Sequence, residues 1–233
     1  MAGQVKSRER VQEHGEVFTN EREVNAMLDM VKQETERIDS RFLEPACGDG
    51  NFLAEVLRRK LDVVDSRYRR SLPEWEKYAF VVVGSVYGVE LLHDNTVACR
   101  NRLYGIVEER YARVARKSQN PAFLDAIGFV LERNVLNGNA LSLKAVDEDG
   151  NDTDEPIIFS EWSIVMGDKV KRRDFRLDEM LEGNVDKGQT RSLFGAGYSS
   201  AVDWEYDEET KSFIPKPIRE YPLTSLYEVM DVE

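Results

Sequence analysis

An α/β fold with a central, mostly parallel sheet and flanking helices is what this sequence predicts, because it carries three strand patterns, two of them followed and one preceded by a helical pattern. Arg41–Leu53 reads RFLEPACGDGNFL: the apolar pair Phe42-Leu43 runs into an acid and a proline, a small-residue turn follows, and Phe52, Leu53, Val56 and Leu57 then repeat at helical spacing. Ser85–Leu91 is an apolar strand ending in Glu90, with a long helical pattern after it. Val135–Leu141 reads as a third strand and turn, preceded by an apolar helical stretch at Phe123–Leu131.

Taken in order, charged sequence from Gln4 leads through His14 to Asn20 into a helix with apolar positions Val24, Met27, Leu28 and Val31. Thr19 or Asn20 can cap it, and Glu21 and Glu23 suit its positive end. In the turn after the first strand, Gly48 and Gly50 can take positive φ and let a ligand lie against the main chain, beside the amides that open the next helix. Glu44 and Asp49 place carboxylates where a phosphate binder would want none. The turn therefore suits a cationic or hydroxyl-bearing ligand better than a pyrophosphate.

An arginine-rich connection with Pro73 follows, and Trp75–Val83 reads as a helix or a buried strand. A helix from about Asp94 to Ala115 carries Val97, Leu103, Ile106, Val107, Tyr111 and Val114 on its apolar side. Ala145–Glu155, with DEDGNDTDE at its centre, reads as an acidic surface loop without the spacing of a calcium loop. Ile157–Val165 is strongly β-prone, and Gly167-Asp168 turns it back through Val170 and Phe175 to form a hairpin, with a short helix at Leu177–Leu181. Beyond Gly183 the composition shifts to glycine, serine and the segment KPIREYP. The expected organisation is a main domain over 1–182 and an irregular C-terminal extension over 183–233, with a hairpin across Val202 to Ile214.

The totals narrow the class. With 233 residues, 41% hydrophobic and 33% charged, the chain has the composition of a globular α/β domain plus an appendage. No apolar run reaches the roughly 20 residues that span a bilayer, and the first residues lack a signal-peptide core, so a cytoplasmic location without membrane contact is expected. Two cysteines, Cys47 and Cys99, cannot make a metal site by themselves, and no metal is expected. Cys47 reads as a small loop residue rather than a nucleophile. A net charge of -12 opposes indiscriminate nucleic-acid binding but permits local contact, for which Lys169, Lys171, Arg172 and Arg173 beside the hairpin form the most suggestive cluster.

The wording LEPACGDGNFL resembles the cofactor loop of class I S-adenosylmethionine-dependent methyltransferases, and in particular that of N6-adenine DNA methyltransferases of restriction-modification systems. The segment Gly15 to Asn20 is similar to the N-terminal motif of the same family, with Asn20 in place of its usual proline. The resemblance covers roughly Val11 to Leu141. It implies a Rossmann-like class I methyltransferase fold with S-adenosylmethionine held by Phe18, Thr19, Glu44, Pro45, Ala46, Gly48, Gly50, Asn51, Phe52, Glu90, Leu91, Asn139 and Ala140. In that scheme Phe18 and Thr19 meet the methionine end, although a helix cap with no ligand role explains the same residues. Glu90 would take the ribose hydroxyls, since a carboxylate accepts two hydrogen bonds from a diol. Asn139 stands where the family commonly has an acid facing the adenine amino group.

The catalytic half of the resemblance fails at one motif. Adenine methyltransferases orient the target amine with an Asn/Asp-Pro-Pro-aromatic turn, and none of the seven prolines here is adjacent to another. The nearest substitute is Phe159-Ser160-Glu161-Trp162, in which Glu161 would accept from the amine and Trp162 would stack on the base. The expected function is an adenine-N6 DNA methyltransferase, or its modification subunit in a restriction-modification or phage-defence system, acting with DNA and with restriction or specificity subunits. The alternative is a catalytically inactive methyltransferase-fold subunit that senses cofactor or serves as a scaffold.

Overall fold

The computed structural model describes residues 19–182, 204–207 and 212–232. Asn20 opens α1 (Glu21–Met30) with a capping box: its side chain accepts from the Arg22 amide, and Glu23 reaches back to the Asn20 amide. After the single turn α2 (Lys32–Thr35), strand β1 (Phe42–Glu44) leads through the glycine turn into α3 (Asn51–Tyr68). Trp75–Val83, open between helix and strand in sequence, lies in α4 (Leu72–Gly84), with Pro73 in the first turn, where a missing amide costs nothing. Then come β2 (Val86–Glu90), α5 (His93–Ala115), α6 (Pro121–Asn134) and β3 (Val135–Asn139). Asn120 caps α6 by accepting from the Ala122 amide at 3.1 Å.

Strands β1, β2 and β3 are parallel neighbours in that order. Two antiparallel strands, β4 (Lys144–Val146) and β5 (Asp152–Pro156), extend the sheet beyond β3. The result is a five-stranded mixed sheet, parallel in its first half, with β1 at one edge. Ala145–Glu155 is therefore a hairpin rather than a loop. Asp147 nucleates its tip, accepting from the amides of Asp149 and Asn151 beside Gly150 at φ 82°.

Side-chain alternation assigns the two faces of the sheet. Val86 and Val135 join the main core, which α1, α3, α4, α5 and α6 fill with Leu28, Leu57, Phe80, Leu103 and Ile127. Successive parallel crossovers in one direction place their helices on one face. The other face presents Tyr87, Val89 and Leu136, covered by Ile157, Phe159 and Leu177. Leu43 lies on that face too, opposite Tyr87, and is 42% exposed.

The expected hairpin is β6 (Ile158–Met166) with β7 (Lys169–Arg176), followed by α7 (Leu177–Glu182). The hairpin across Val202 to Ile214 appears as β8 (Trp204–Asp207) paired with β9 (Ser212–Pro215). The extension is less irregular and less separate than its composition suggests. Strands β10 (Arg219–Glu220) and β11 (Thr224–Ser225) both pair with β7, and Tyr221, Leu226 and Val229 are buried. Among the described residues no helix is long and apolar enough to cross a membrane.

Candidate functional site

The carboxyl ends of β1 and β2 build the site. The Cys47 amide donates to the Val89 carbonyl at 3.0 Å, pinning the start of the turn to the neighbouring strand, and the Gly50 amide donates to Cys47 at 2.8 Å. Gly48 has φ 54° and Gly50 has φ 88°, the left-handed region that glycine enters without a Cβ clash. At Gly50 the requirement is also one of space, since a Cβ there would lie 2.6 Å from Cys99 Sγ.

Glu90 faces this turn from the end of β2. Its Oε2 accepts from the Gly48 amide at 2.8 Å, while Oε1 accepts from the Leu92 amide at 3.0 Å and from Asn95 Nδ2 at 3.4 Å. Three of the roughly four lone-pair positions of a carboxylate are thus engaged. Asp49, on the far side of the turn, receives Arg102 Nη2 at 2.7 Å, and the same guanidinium donates to Asn51 Oδ1. The Glu44 side chain, half-buried at the end of β1, makes no hydrogen bond or ion pair among the described residues, and burial raises its pKa above the usual carboxylate range. The Cys47 thiol is raised as well, first by its hydrogen-bonding neighbour Cys99, then by burial and by the nearby Glu90 and Glu44 carboxylates. A thiol held protonated in this way is no nucleophile.

The remaining expected cofactor residues differ in position and exposure. Pro45 and Ala46 are exposed, while Asn51, Phe52, Leu91 and Ala140 are half-buried. Asn139 ends β3, two strands from β1; its Oδ1 accepts from the Leu141 amide at 3.0 Å and its Nδ2 donates to Asp152. Thr19 is exposed and precedes the capping Asn20, while Phe18 lies outside the described residues. Arg59 of α3 meets Asn25 and Asp29, and Thr35 shares a cavity with Ser66 and Arg67. Helix α1 thus runs alongside α3 in the same direction, leaving Thr19 at the end nearer the glycine turn.

The structure corrects the expected catalytic pair. Glu161 is buried and spends its carboxylate on two guanidinium groups, Arg41 just before β1 and Arg173 across the hairpin. Trp162 is buried against Phe80, Phe129 and the Gly84 backbone, its Nε1 donating to Asn134 at 3.3 Å. Arg41, Gly84 and Asn134 all precede strands, so both residues stand at the amino ends of the sheet while the glycine turn stands at its carboxyl ends. Strand β2 alone separates the two by about 13 Å at 3.3 Å per residue.

The expected DNA cluster is corrected too. Arg172 is 8% exposed and pairs with Asp174 while stacking on Tyr221, and Arg173 is 5% exposed beside Glu161. Lys169 is exposed and Lys171 lies near Glu220 at 3.8 Å. Two contributors to the turn, Arg102 and Asn95, were missed in the sequence. Their signal is positional: the helix after an acid-ended strand must lean on the glycine turn beside that strand, and Cys99, three residues before Arg102, touches Gly50.

Among the described residues no group of three or more His, Cys, Asp or Glu side chains could hold a metal ion. No family model, no curated protein and no solved structure matches this chain.

Proposed function

We propose that the chain binds S-adenosylmethionine at the β1–α3 turn in the manner of a class I methyltransferase and serves N6-adenine methylation of DNA in a restriction-modification or defence system. The observation that carries the reading is the Glu90 carboxylate set on the Gly48 amide, at the carboxyl ends of adjacent parallel strands. Open α/β sheets bind nucleosides outside the carboxyl ends of their strands, and an acid there accepts from ribose hydroxyls. The residues present fit such a group: both glycines hold the main chain open at positive φ, Glu90 retains acceptor capacity, and Glu44 lacks a donor. The longest of Glu90's three hydrogen bonds, from Asn95 at 3.4 Å, is the one a diol would most readily replace.

When bound, S-adenosylmethionine would supply an activated methyl group, and the chain's own part is to hold and orient it. A second reading, a cofactor-binding subunit that does not itself methylate, is favoured by one further observation. Strand β1, which carries the turn, is the edge of the sheet among the described residues, and the helices that connect the parallel strands lie on one face. In doubly wound sheets the crevice lies where strand order reverses, so its second wall belongs to strands beyond the first one. Here that side of β1 has no strand among the described residues, and Glu161 and Trp162 lie at the wrong end to orient an amine. The reading therefore gives this chain the cofactor half of the reaction.

Titration calorimetry with S-adenosylmethionine and with its demethylated product tests the binding claim. Saturable binding that Glu90→Ala abolishes is the expected result, and no heat with either nucleoside refutes it. Tritiated methyl transfer to unmodified DNA, measured alone and with products of neighbouring genes, separates the two readings: transfer by the chain alone establishes the enzyme, and transfer only with a partner the subunit.

A further inference from the structure

We propose that Arg102 is a positioning residue for the glycine turn, holding Asp49 so that its Oδ1 can accept a hydrogen bond from an ammonium group of the ligand. The ligand's identity rests on the cofactor reading above; the geometry does not. The first half of the turn is tied to β2 by the Cys47 amide on Val89 and the Gly48 amide on Glu90. The second half, Asp49 and Asn51, is held from α5 by the Arg102 fork, with Nη2 on Asp49 Oδ2 at 2.7 Å and a second nitrogen on Asn51 Oδ1. A planar guanidinium can bind two acceptors in a fixed relative geometry, which a flexible ammonium cannot.

The other Asp49 oxygen has no such partner. Asp49 Oδ1 is buried and meets no donor, a condition shared among the described side-chain atoms only by Arg172 Nη1. A buried acceptor without a donor costs about 1–3 kcal/mol, and such atoms in native proteins call for a specific explanation. Arg172 Nη1 lies within a guanidinium whose other nitrogens are already bonded and whose plane stacks on Tyr221. Asp49 Oδ1 lies in the turn itself, between two glycines with positive φ. Its charge favours a cationic donor, because a charge-assisted hydrogen bond is about twice as strong as a neutral one.

The test uses the full chain and the variants Arg102→Gln, Arg102→Lys, Asp49→Asn and the double variant Arg102→Gln/Asp49→Asn. Amide hydrogen exchange over residues 48–51 without ligand reads the clamp directly, and calorimetry with S-adenosylmethionine reads its consequence. Arg102→Gln should quicken exchange of the Gly48 and Gly50 amides, bonded to Glu90 and to the Cys47 carbonyl, about tenfold and weaken binding about tenfold, the size of one charge-assisted hydrogen bond. Asp49→Asn should weaken binding to a similar degree, the double variant should be no weaker than either single one, and Arg102→Lys should recover part of the loss. Unchanged exchange in Arg102→Gln, or losses that add in the double variant, overturn the proposal. If the wild-type chain binds no S-adenosylmethionine, the cofactor reading fails by itself and the exchange measurement alone decides whether Arg102 holds the turn.

Discussion

Replacing Lys60 by methionine should flatten the pH dependence of stability above neutrality. Lys60 lies on the apolar side of α3, fully buried, with Nζ donating to the carbonyls of Ile38 at 3.3 Å and of Ser40, and to Ser85 Oγ at 2.7 Å. No carboxylate among the described residues pairs with it. Burial, the largest cause, acts with Arg37 and against Asp39 and Glu34 to bring its pKa from 10.5 down to about 7. The unfolded chain therefore carries a proton that the folded chain lacks between pH 7 and 10.5, so stability rises with pH through that window and this contribution is flat below it. At about 1.36 kcal/mol per pH unit, Lys60 penalises folding by roughly 4–5 kcal/mol at neutral pH, of which about 3–4 kcal/mol is relieved by pH 10. Methionine removes the penalty and strands the carbonyls it leaves, at about 1–3 kcal/mol each. Lys60→Met should thus come close to the wild type in stability at pH 7 and fall behind it at pH 10. Urea unfolding followed by tryptophan fluorescence across pH 7–10, with the two proteins side by side, cancels the other titrating groups. Parallel stability curves for the two proteins would refute the reasoning.

Three other substitutions test separate parts of the account. Gly50→Ala forces a side chain to φ 88° and a Cβ to 2.6 Å from Cys99 Sγ, and should lower stability by about 1–3 kcal/mol in thermal melts. A melt like the wild type would show that the turn is not held as described. Trp162→Phe loses the hydrogen bond to Asn134 and part of the packing on Phe80, so the melting temperature should fall while S-adenosylmethionine binding, measured by calorimetry, stays unchanged. A selective loss of binding would return Trp162 to the site. Tyr227→Phe removes a 2.6 Å hydrogen bond to the buried Glu76, worth about 1.5–3 kcal/mol for a charged partner, and should expose the C-terminal turn to limited proteolysis before the rest of the chain.

What the sequence disclosed and what it withheld divide along the range of the interactions. The strand, glycine turn and helix at Phe42–Tyr68 are legible because each signal lies within a few residues of its effect: apolar runs, positive-φ glycines and a helical repeat. Glu90 on Gly48 is nearly as legible, since parallel neighbours bring their carboxyl ends together wherever the intervening chain packs. Glu161, Trp162, Arg172 and Arg173 were misassigned because their chemistry was judged one strand at a time. The hairpin sets Glu161 opposite Arg173 and Trp162 opposite Arg172, so an acid and an aromatic that resemble a catalytic pair, and cations that resemble a phosphate contact, satisfy one another. Counting outward from the Gly167 turn would have paired them. The edge position of β1 had no such local signal. Strand order depends on which segments meet across the whole chain, and an apolar strand of three residues reads the same at the centre of a sheet as at its margin. That is why the glycine turn could be read at once while the open side of β1 among the described residues emerged only in the fold, and why the proposed methyl transfer is measured both with and without a partner.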